Sequence, residues 1–436
     1  MNRQIFRLAI PNIISNITVP LLGLVDLFIV GHLNSALYIG AIAIGTMIFN
    51  LIYWNFSFLR MGTSGFTAQA FGAQNRQNAT NVLIRSLVIA LVSSLFILMF
   101  QYLILIFAFS VIGVNDSLRE YVSDYFNIYI WAAPAVLGMY AFSGWFVGMQ
   151  DSKTPMYIAI AVNIINIVLS LIFVFAWGMQ IRGIACGALI AQLSGLILAI
   201  IIALKKYPFI KQYFSISILK KVRDFVPFFN VNADIFLRTL CIIAVTTFFT
   251  SQSEKMGNTT LAVNTLILQL FMLFSYMMDG LAYAAEALTG RFIGAGNTKI
   301  LHTLVKRLFF WGTMFASLFS IVYFLFIDSI FHILTDKTDI IEASKDYQYW
   351  AMLIPVASFS AFLWDGIFVG ATASKYMRNS MFVAACSFFV LFYVLFPRWG
   401  NNALWFSFIF YLSMRGVVQF CMYPKIRESF FTKYSK

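Results

Sequence analysis

The chain has 436 residues, of which 61% are hydrophobic and only 11% are charged, and its mean hydropathy is +0.83. Soluble domains carry roughly 25% charged residues, so this composition excludes an ordinary water-soluble fold. The formal net charge of +13 is compatible with a nucleic-acid partner, but the placement of the basic residues explains it without one.

Apolar runs long enough to cross a bilayer, about 20 residues at 1.5 Å each, recur along the whole chain. They are continuous rather than alternating, which predicts membrane-spanning helices rather than barrel strands. The first run is too long for the apolar region of a signal peptide and lacks a small-residue cleavage site. We predict twelve spans, near 8–33, 38–71, 79–109, 118–149, 154–177, 184–204, 225–251, 258–293, 300–331, 341–371, 376–397 and 402–424.

The first predicted span carries an acid and two prolines. Asp26 lies inside the apolar run, where an ionisable side chain is costly and marks a functional candidate. Low-dielectric surroundings disfavour a charged carboxylate, so we expect Asp26 to gain and lose a proton as water access changes. Pro11 and Pro20 each remove a backbone hydrogen bond and favour a kink, which predicts a hinge. A purely structural Asp26, hydrogen-bonded to neighbouring amides, is the alternative.

Span 5 carries a polar stripe. Asn163, Asn166 and Ser170 stand at i, i+3 and i+7, which places them on one face of a helix. Such a stripe lines either a wet cavity or a contact between helices. The first reading would make these residues partners of Asp26 in ion coupling, and the second would make them packing residues.

The second half of the chain holds several intramembrane acids. Asp279 and Glu286 are seven residues apart on span 8 and share a face, and Asp365 lies in span 10. None has an evident basic partner in the sequence, so we predict that they bind a proton, a sodium ion or a cationic substrate. Asp234 and Arg238 have the i, i+4 spacing of an ion pair, for which we predict a structural role.

The basic residues cluster in alternate loops. Most of the 30 lysines and arginines fall on the side of the N-terminus, which the positive-inside rule assigns to the cytoplasm. An even number of spans then makes both termini cytoplasmic. The most basic loop lies near the middle of the chain and divides it into an N-terminal lobe (1–206), a cytoplasmic linker (207–222) and a C-terminal lobe (223–436).

An internal repeat supports this division. Phe146-Val147-Gly148 recurs as Phe368-Val369-Gly370, an offset of 222 residues, and Gly72-Ala73 recurs as Gly294-Ala295 in the same register. Each half holds six predicted spans, so both halves enter the membrane in the same sense. The predicted fold is therefore an all-α integral membrane protein with two six-helix bundles related by a pseudo-two-fold axis along the membrane normal.

The sequence lacks the motifs by which soluble enzymes are commonly identified. The sequence has no phosphate-binding loop, no dinucleotide fingerprint and no paired metal-ligand histidines, and its four cysteines lie singly inside apolar runs. We predict no enzymatic activity, no resident metal and no cofactor beyond a coupling proton or sodium ion. A passive channel is disfavoured by the two-part repeat.

Several segments together resemble the multidrug and toxic compound extrusion family, most closely its DinF-like branch. They cover essentially the whole chain. The segments are LAIPNIISN at 8–16, VDLFIVGHL at 25–33, FLRMGTSGFTAQAFG at 58–72, the stretch from Asp279 to Glu286, and DGIFVGA at 365–371.

The resemblance implies two lobes arranged in a V and an antiporter that exports amphipathic, often cationic, organic compounds in exchange for protons or sodium. It also implies proton-linked bending of helix 1 at Pro11, driven by Asp26. Ser170 stands where the family commonly has a second acid, which leaves Asp26 with Asn163 and Asn166 as the implied coupling site. The second-half acids match what resembles a cation site in the other lobe.

The alternative function is a flippase for lipid-linked oligosaccharides or other lipids in the same superfamily. It would favour a basic cavity, whereas the predicted spans hold more acids than arginines. We predict a monomer in the bacterial cytoplasmic membrane whose partners are a small organic substrate and membrane lipid, with no nucleic acid.

Overall fold

A computed structural model describes residues 1–32, 36–215 and 225–434, and the regular structure in these ranges is helical. A 3-10 turn joins α6 to α7, and a π-helical turn follows α8. The helices are, in chain order, α1 (Asn2–Gly31), α2 (Ala36–Trp54), α3 (Phe58–Gly72), α4 (Arg76–Met99), α5 (Gln101–Ile112), α6 (Asp116–Tyr129), α7 (Ala133–Gly148), α8 (Lys153–Leu171), α9 (Gln180–Lys206), α10 (Phe209–Tyr213), α11 (Val226–Lys255), α12 (Asn258–Gly294), α13 (Thr298–Leu334), α14 (Thr338–Ser344), α15 (Gln348–Gly370), α16 (Ser374–Trp399) and α17 (Asn401–Tyr434).

Twelve helical stretches of the described chain are long and apolar enough to cross a membrane, which confirms the predicted all-α fold with twelve spans. The helix pairs α2–α3 and α6–α7 each form one span. Two predicted boundaries are wrong. The third span ends at Met99, where Phe100 leaves helical geometry, and α14 is separate from α15. The hydropathy remains high across the break at Phe100, so composition alone does not reveal it. The break between α14 and α15 falls instead on the polar residues Ser344, Lys345 and Asp346, through which the predicted span was drawn.

The chain forms two compact units. The N-terminal unit comprises Ile14–Val226, and the C-terminal unit comprises Pro227–Lys436 together with Met1–Ile13. The start of α1 packs inside the C-terminal unit, where the rings of Phe6 and Trp311 lie 4.6 Å apart. The expected division into 1–206, 207–222 and 223–436 stays a prediction, and residues 216–222 of that linker lie outside the described ranges.

Each unit contains a pair of helices in very close contact through glycine. In the N-terminal unit, a Cβ on Gly144 of α7 would lie 2.2 Å from the carbonyl oxygen of Arg60 on α3. In the C-terminal unit, a Cβ on Gly366 of α15 would lie 2.2 Å from the carbonyl oxygen of Ala282 on α12. The repeat offset of 222 residues relates both glycines and both carbonyls, so the internal repeat extends to backbone packing.

The backbone breaks after these helices repeat as well. Gln74 and Gly296 both have positive φ, 56° and 66°. The following asparagines, Asn75 and Asn297, cap the next helix in each unit, and each accepts a hydrogen bond from the amide three residues later. An asparagine side-chain oxygen at this position satisfies an otherwise unpaired amide of the first helical turn.

Aromatic residues fill the cores, and apolar residues also cover the outside. Trp145 and Phe146 are fully buried in the N-terminal unit, as is Phe388 in the C-terminal unit. At the same time Phe107 and Val394 are about two-thirds exposed. An exposed apolar surface of this extent would be unstable in water but suits contact with lipid tails.

Candidate functional site

Asp26 lies in the last quarter of α1, within the N-terminal unit, and is half-buried. Its Oδ1 atom is buried and receives no hydrogen bond from the part of the chain that the structure describes. The ion pairs formed within that part do not include Asp26. A buried carboxylate without compensation is costly, so this oxygen can accept a proton or a cation.

A tyrosine cluster accompanies Asp26. Tyr125 and Tyr129 of α6 lie close enough to Asp26 for electrostatic interaction. Their rings are 5.8 Å apart, and Tyr129 also makes an edge contact with Phe49 of α2 at 4.7 Å. Gly45 permits this packing, since a Cβ there would lie 2.5 Å from the Tyr125 ring. Asp26 therefore lies beside aromatic surfaces that attract organic cations.

The predicted polar stripe divides between two contacts. Asn163 of α8 donates a long hydrogen bond of 3.4 Å to the backbone oxygen of Thr18 on α1. Asn166 and Ser170 follow on the next two turns of the same helix. The Ser170 hydroxyl donates to Asn166 Oδ1 at 3.0 Å, and both side chains are buried. A Cβ on Gly187 of α9 would lie 2.6 Å from the Ser170 oxygen. Asn163 thus faces α1, whereas Asn166 and Ser170 bond to each other beside α9.

The hinge prolines lie inside a continuous helix, since α1 runs through both Pro11 and Pro20. Next to Pro11, the Asn12 amide donates to the carbonyl of Leu8 at 2.9 Å. The stretch around Pro11 packs on α12, where a Cβ on Gly280 would meet Ile13 at 2.2 Å. The role of these prolines as a hinge stays a prediction.

Asp365 in the C-terminal unit has basic partners, so the expectation that it lacks them is wrong. Its Oδ2 accepts from Arg238 Nη2 of α11 and, at 2.8 Å, from Arg415 Nη2 of α17. Its Oδ1 accepts from Gln419 Nε2 at 2.6 Å. The sequence gives no indication of these contacts because the residues lie on three helices far apart in the chain.

The predicted ion pair between Asp234 and Arg238 does not form. Asp234 instead accepts from Arg378 Nη1 at 2.6 Å and from the Ser374 hydroxyl at 2.8 Å, both at the start of α16. Arg238 turns to Asp365. The i, i+4 spacing permits a contact along one helix, but each side chain here meets a stronger partner on a neighbouring helix.

The other two second-half acids lie on α12. Asp279 is half-buried and interacts electrostatically with Arg415 and Tyr276. Glu286 is buried, and its backbone oxygen lies 2.3 Å from where a Cβ on Gly370 would be. Glu286 therefore lies at the close contact between α12 and α15.

Tyr125, Tyr129 and Gln419 were not singled out from the sequence. Tyr125 and Tyr129 have the i, i+4 spacing that places two phenols on one helix face, and that signal was available. For Gln419 the only signal is its position one turn after Arg415 in an apolar span, which is weaker.

These features define a multi-pass membrane transporter fold. A solved structure described as "Crystal structure of MATE in the bent conformation" aligns with a TM-score of 0.87 over 100% of this chain and 97% of that chain, at 20% sequence identity. The MatE family model matches residues 11–172 and again residues 235–397. This chain belongs to the MatE family, whose members are transporters and not enzymes, and the resemblance stated above is confirmed.

Relatives in other organisms match over most of their length. The chain is 34% identical over 418 residues to DNA damage-inducible protein F of Escherichia coli (strain K12), covering 95% of this chain and 90% of that protein. It is 22% identical to a protein of Thermotoga maritima named "Probable multidrug resistance protein NorM", covering 79% of this chain and 75% of the relative.

Proposed function

We propose that this chain is a secondary active antiporter that exports amphipathic, often cationic, organic compounds in exchange for protons by alternating access. Membership of the MatE family supports transport, and the name of the Thermotoga maritima relative supports multidrug export. The observation that carries the proton-coupling part is the buried Oδ1 of Asp26, which receives no hydrogen bond from the described residues.

The proposed exchange follows from electrostatics at Asp26. A carboxylate in low-dielectric surroundings is stabilised either by protonation or by a nearby cation. The faces of Tyr125 and Tyr129 would hold the organic part of a cationic substrate beside the carboxylate. A proton arriving from outside would neutralise Asp26 and weaken the attraction for the substrate, so proton entry and substrate release would be linked.

The flippase alternative is less well supported by the same site. A lipid-linked pyrophosphate is anionic, and an uncompensated carboxylate at Asp26 would repel it. The guanidinium groups of Arg238 and Arg415 are already engaged by Asp365. We further propose that the chain resides in the bacterial cytoplasmic membrane with both termini on the cytoplasmic side.

The test is substrate transport in proteoliposomes under an imposed proton gradient, with a fluorescent organic cation as the probe. Asp26→Asn keeps the size of the side chain but cannot change charge, and we expect it to lose nearly all gradient-driven transport. Asp116→Asn alters an acid that is 91% exposed at the start of α6 and is the matched control. Normal transport by Asp26→Asn would show that coupling lies elsewhere.

A further inference from the structure

We propose that Arg238 and Arg415 act as permanent cations within the protein that exclude sodium from the Asp365 carboxylate in the C-terminal unit. Asp365 then serves as their fixed counter-charge and not as an ion-coupling carboxylate. This inference rests on the proposed antiport function and restricts where a coupling ion can bind, since it removes Asp365 as a sodium site.

The first step is that both oxygens of the Asp365 carboxylate already accept hydrogen bonds. Oδ2 accepts from two guanidinium groups and Oδ1 accepts from the Gln419 amide. The side chains of Asp365 and Arg415 are almost fully buried, and Gln419 is 1% exposed. A hard cation such as sodium binds through oxygen ligands, and both oxygens of this carboxylate already face N–H donors.

The second step is charge. A guanidinium group stays protonated at any pH a cell reaches. Two permanent positive charges at hydrogen-bond distance from Asp365 would repel any further cation in a low-dielectric interior. The field of Arg415 also reaches Asp279, with which it interacts electrostatically.

The third step is that Arg415 and Asp365 are held in place. Arg415 lies over the ring of Tyr411, with its guanidinium carbon 5.6 Å from the ring centre. Asp365 adjoins Gly366, which packs directly against the backbone of α12. Because helices α11, α15 and α17 all contribute to the cluster, a cation could enter only by separating charges that lipid would leave uncompensated.

The experiment measures sodium-dependent thermal unfolding and sodium-driven transport for purified full-length protein. The variants are Arg238→Gln/Arg415→Gln, which exposes Asp365, and the same pair combined with Asp365→Asn, which removes the acid. Wild type and Asp365→Asn alone are measured in parallel, with potassium in place of sodium as the ionic-strength control.

We expect no sodium-specific shift for wild type. For Arg238→Gln/Arg415→Gln we expect the unfolding midpoint to rise by about 2–4 °C in sodium, and we expect this rise to vanish with Asp365→Asn. The proposal is overturned if wild type shows a sodium-specific shift that Asp365→Asn abolishes, or if the folded double variant gains no sodium response.

If the double variant does not fold, the comparison of wild type with Asp365→Asn decides the question on its own. A sodium-specific response of wild type that depends on Asp365 refutes the exclusion, and its absence supports it. Failure of the proposed function is seen separately, as the absence of proton-driven transport by wild type in the same liposomes.

Discussion

Thr372 occupies a backbone conformation that a β-branched residue rarely adopts. Its φ is +53°, and the equivalent residue of the first repeat, Gln150, has a φ of +63°. Both lie just after a helix, where the chain reverses and the next amide bonds back to the helix end, as Ala373 N does to the oxygen of Phe368 at 2.8 Å. Left-handed geometry costs a non-glycine residue roughly 1–2 kcal/mol.

Thr372→Gly should therefore stabilise the protein by about 1 kcal/mol, since glycine adopts positive φ without steric cost. For a unit of this size that corresponds to a rise of about 2–4 °C in the unfolding midpoint, measured by differential scanning fluorimetry in detergent. Gly113→Ala is the reverse control, because Gly113 has a φ of +69° and open space around it. An unchanged or lower midpoint for Thr372→Gly would show that the hydroxyl contributes more than the strain costs.

A second residue-level prediction concerns the cluster around Asp151. This carboxylate accepts from Lys206 Nζ at 2.6 Å and from the Thr154 hydroxyl at 2.6 Å. Burial and the nearby Asp151 charge raise the pKa of the Tyr207 phenol, which donates to the same carboxylate. Asp151→Ala should lower the free energy of unfolding by about 1–2 kcal/mol through loss of these charge-assisted bonds.

Thermal unfolding also checks that prediction, with Asp116→Ala as an exposed control. If the Asp151→Ala variant is as stable as wild type, solvent replaces the lost contacts at this membrane-edge position.

At the scale of single charged residues the sequence was informative about which side chains are unusual, but not about whom they contact. Asp26, Asp365 and Arg415 stand out because charges are rare in apolar spans. The pairing of Asp365 with Arg238 and Arg415 depends on the distance between helices, which no local pattern encodes. The i, i+4 spacing predicted an ion pair between Asp234 and Arg238 because that rule considers contacts within a single helix only.

At the scale of helices, two glycine contacts bring one helix directly against the backbone of another. Gly144 brings α7 against α3, and Gly366 brings α15 against α12. In each case the obstacle to a larger residue is a backbone carbonyl, which cannot rotate away as a flexible side chain could.

Gly144→Ala and Gly366→Ala should each destabilise the protein by about 1–3 kcal/mol or more, because added volume at a packed contact forces the backbone to shift. The repeat predicts effects of similar size in both units. Gly40→Ala is the matched control, since its Cβ would meet only Leu118 at an ordinary 3.5 Å. Folded yield and unfolding midpoint measure the effect, and equal behaviour of all three variants would contradict it.

The sequence predicted the helices well because continuous apolar runs determine where lipid-exposed backbone must be helical. It did not predict the break at Phe100, which does not interrupt the hydropathy. The separation of α14 from α15 was missed although a polar stretch, residues 344–348, marks it. It predicted the repeat from Phe146-Val147-Gly148 and its copy, and the third residue of that motif is one of the glycines in close contact.

At the scale of the whole molecule, the placement of basic residues predicts orientation. Lys205 stands at the exposed end of α9, on the side we assign to the cytoplasm, and Asp116 stands at the exposed start of α6, on the opposite side.

With the four native cysteines replaced, Lys205→Cys should react with a membrane-impermeant maleimide only in inside-out vesicles, and Asp116→Cys only in intact cells. The physical reason is the bias of lysine and arginine toward cytoplasmic loops. Labelling of Lys205→Cys in intact cells would reverse the assigned orientation of both termini.

The function of the whole molecule was less accessible from the sequence than its architecture. Twelve spans and a repeat indicate a transporter, and the family match confirms that class. The proposed coupling rests on which acids are compensated, and that depends on contacts such as those of Asp365 with α11 and α17. The spacing of Tyr125 and Tyr129 places both phenols on one helix face, but the position of that face beside Asp26 depends on packing between helices, which the spacing does not reveal.

The glycine contacts also determine which parts of each unit can deform. A backbone carbonyl lies where a side chain on Gly144 or Gly366 would begin. Because this leaves no room for α3 and α7, or α12 and α15, to slide past each other, we expect each pair to move as one rigid unit. Spin labels placed across either pair should report one unchanging distance throughout a transport cycle. Labels intended to follow the cycle should be placed on the remaining helices. Ligands intended to arrest the cycle should bind to those helices and not to the two rigid pairs.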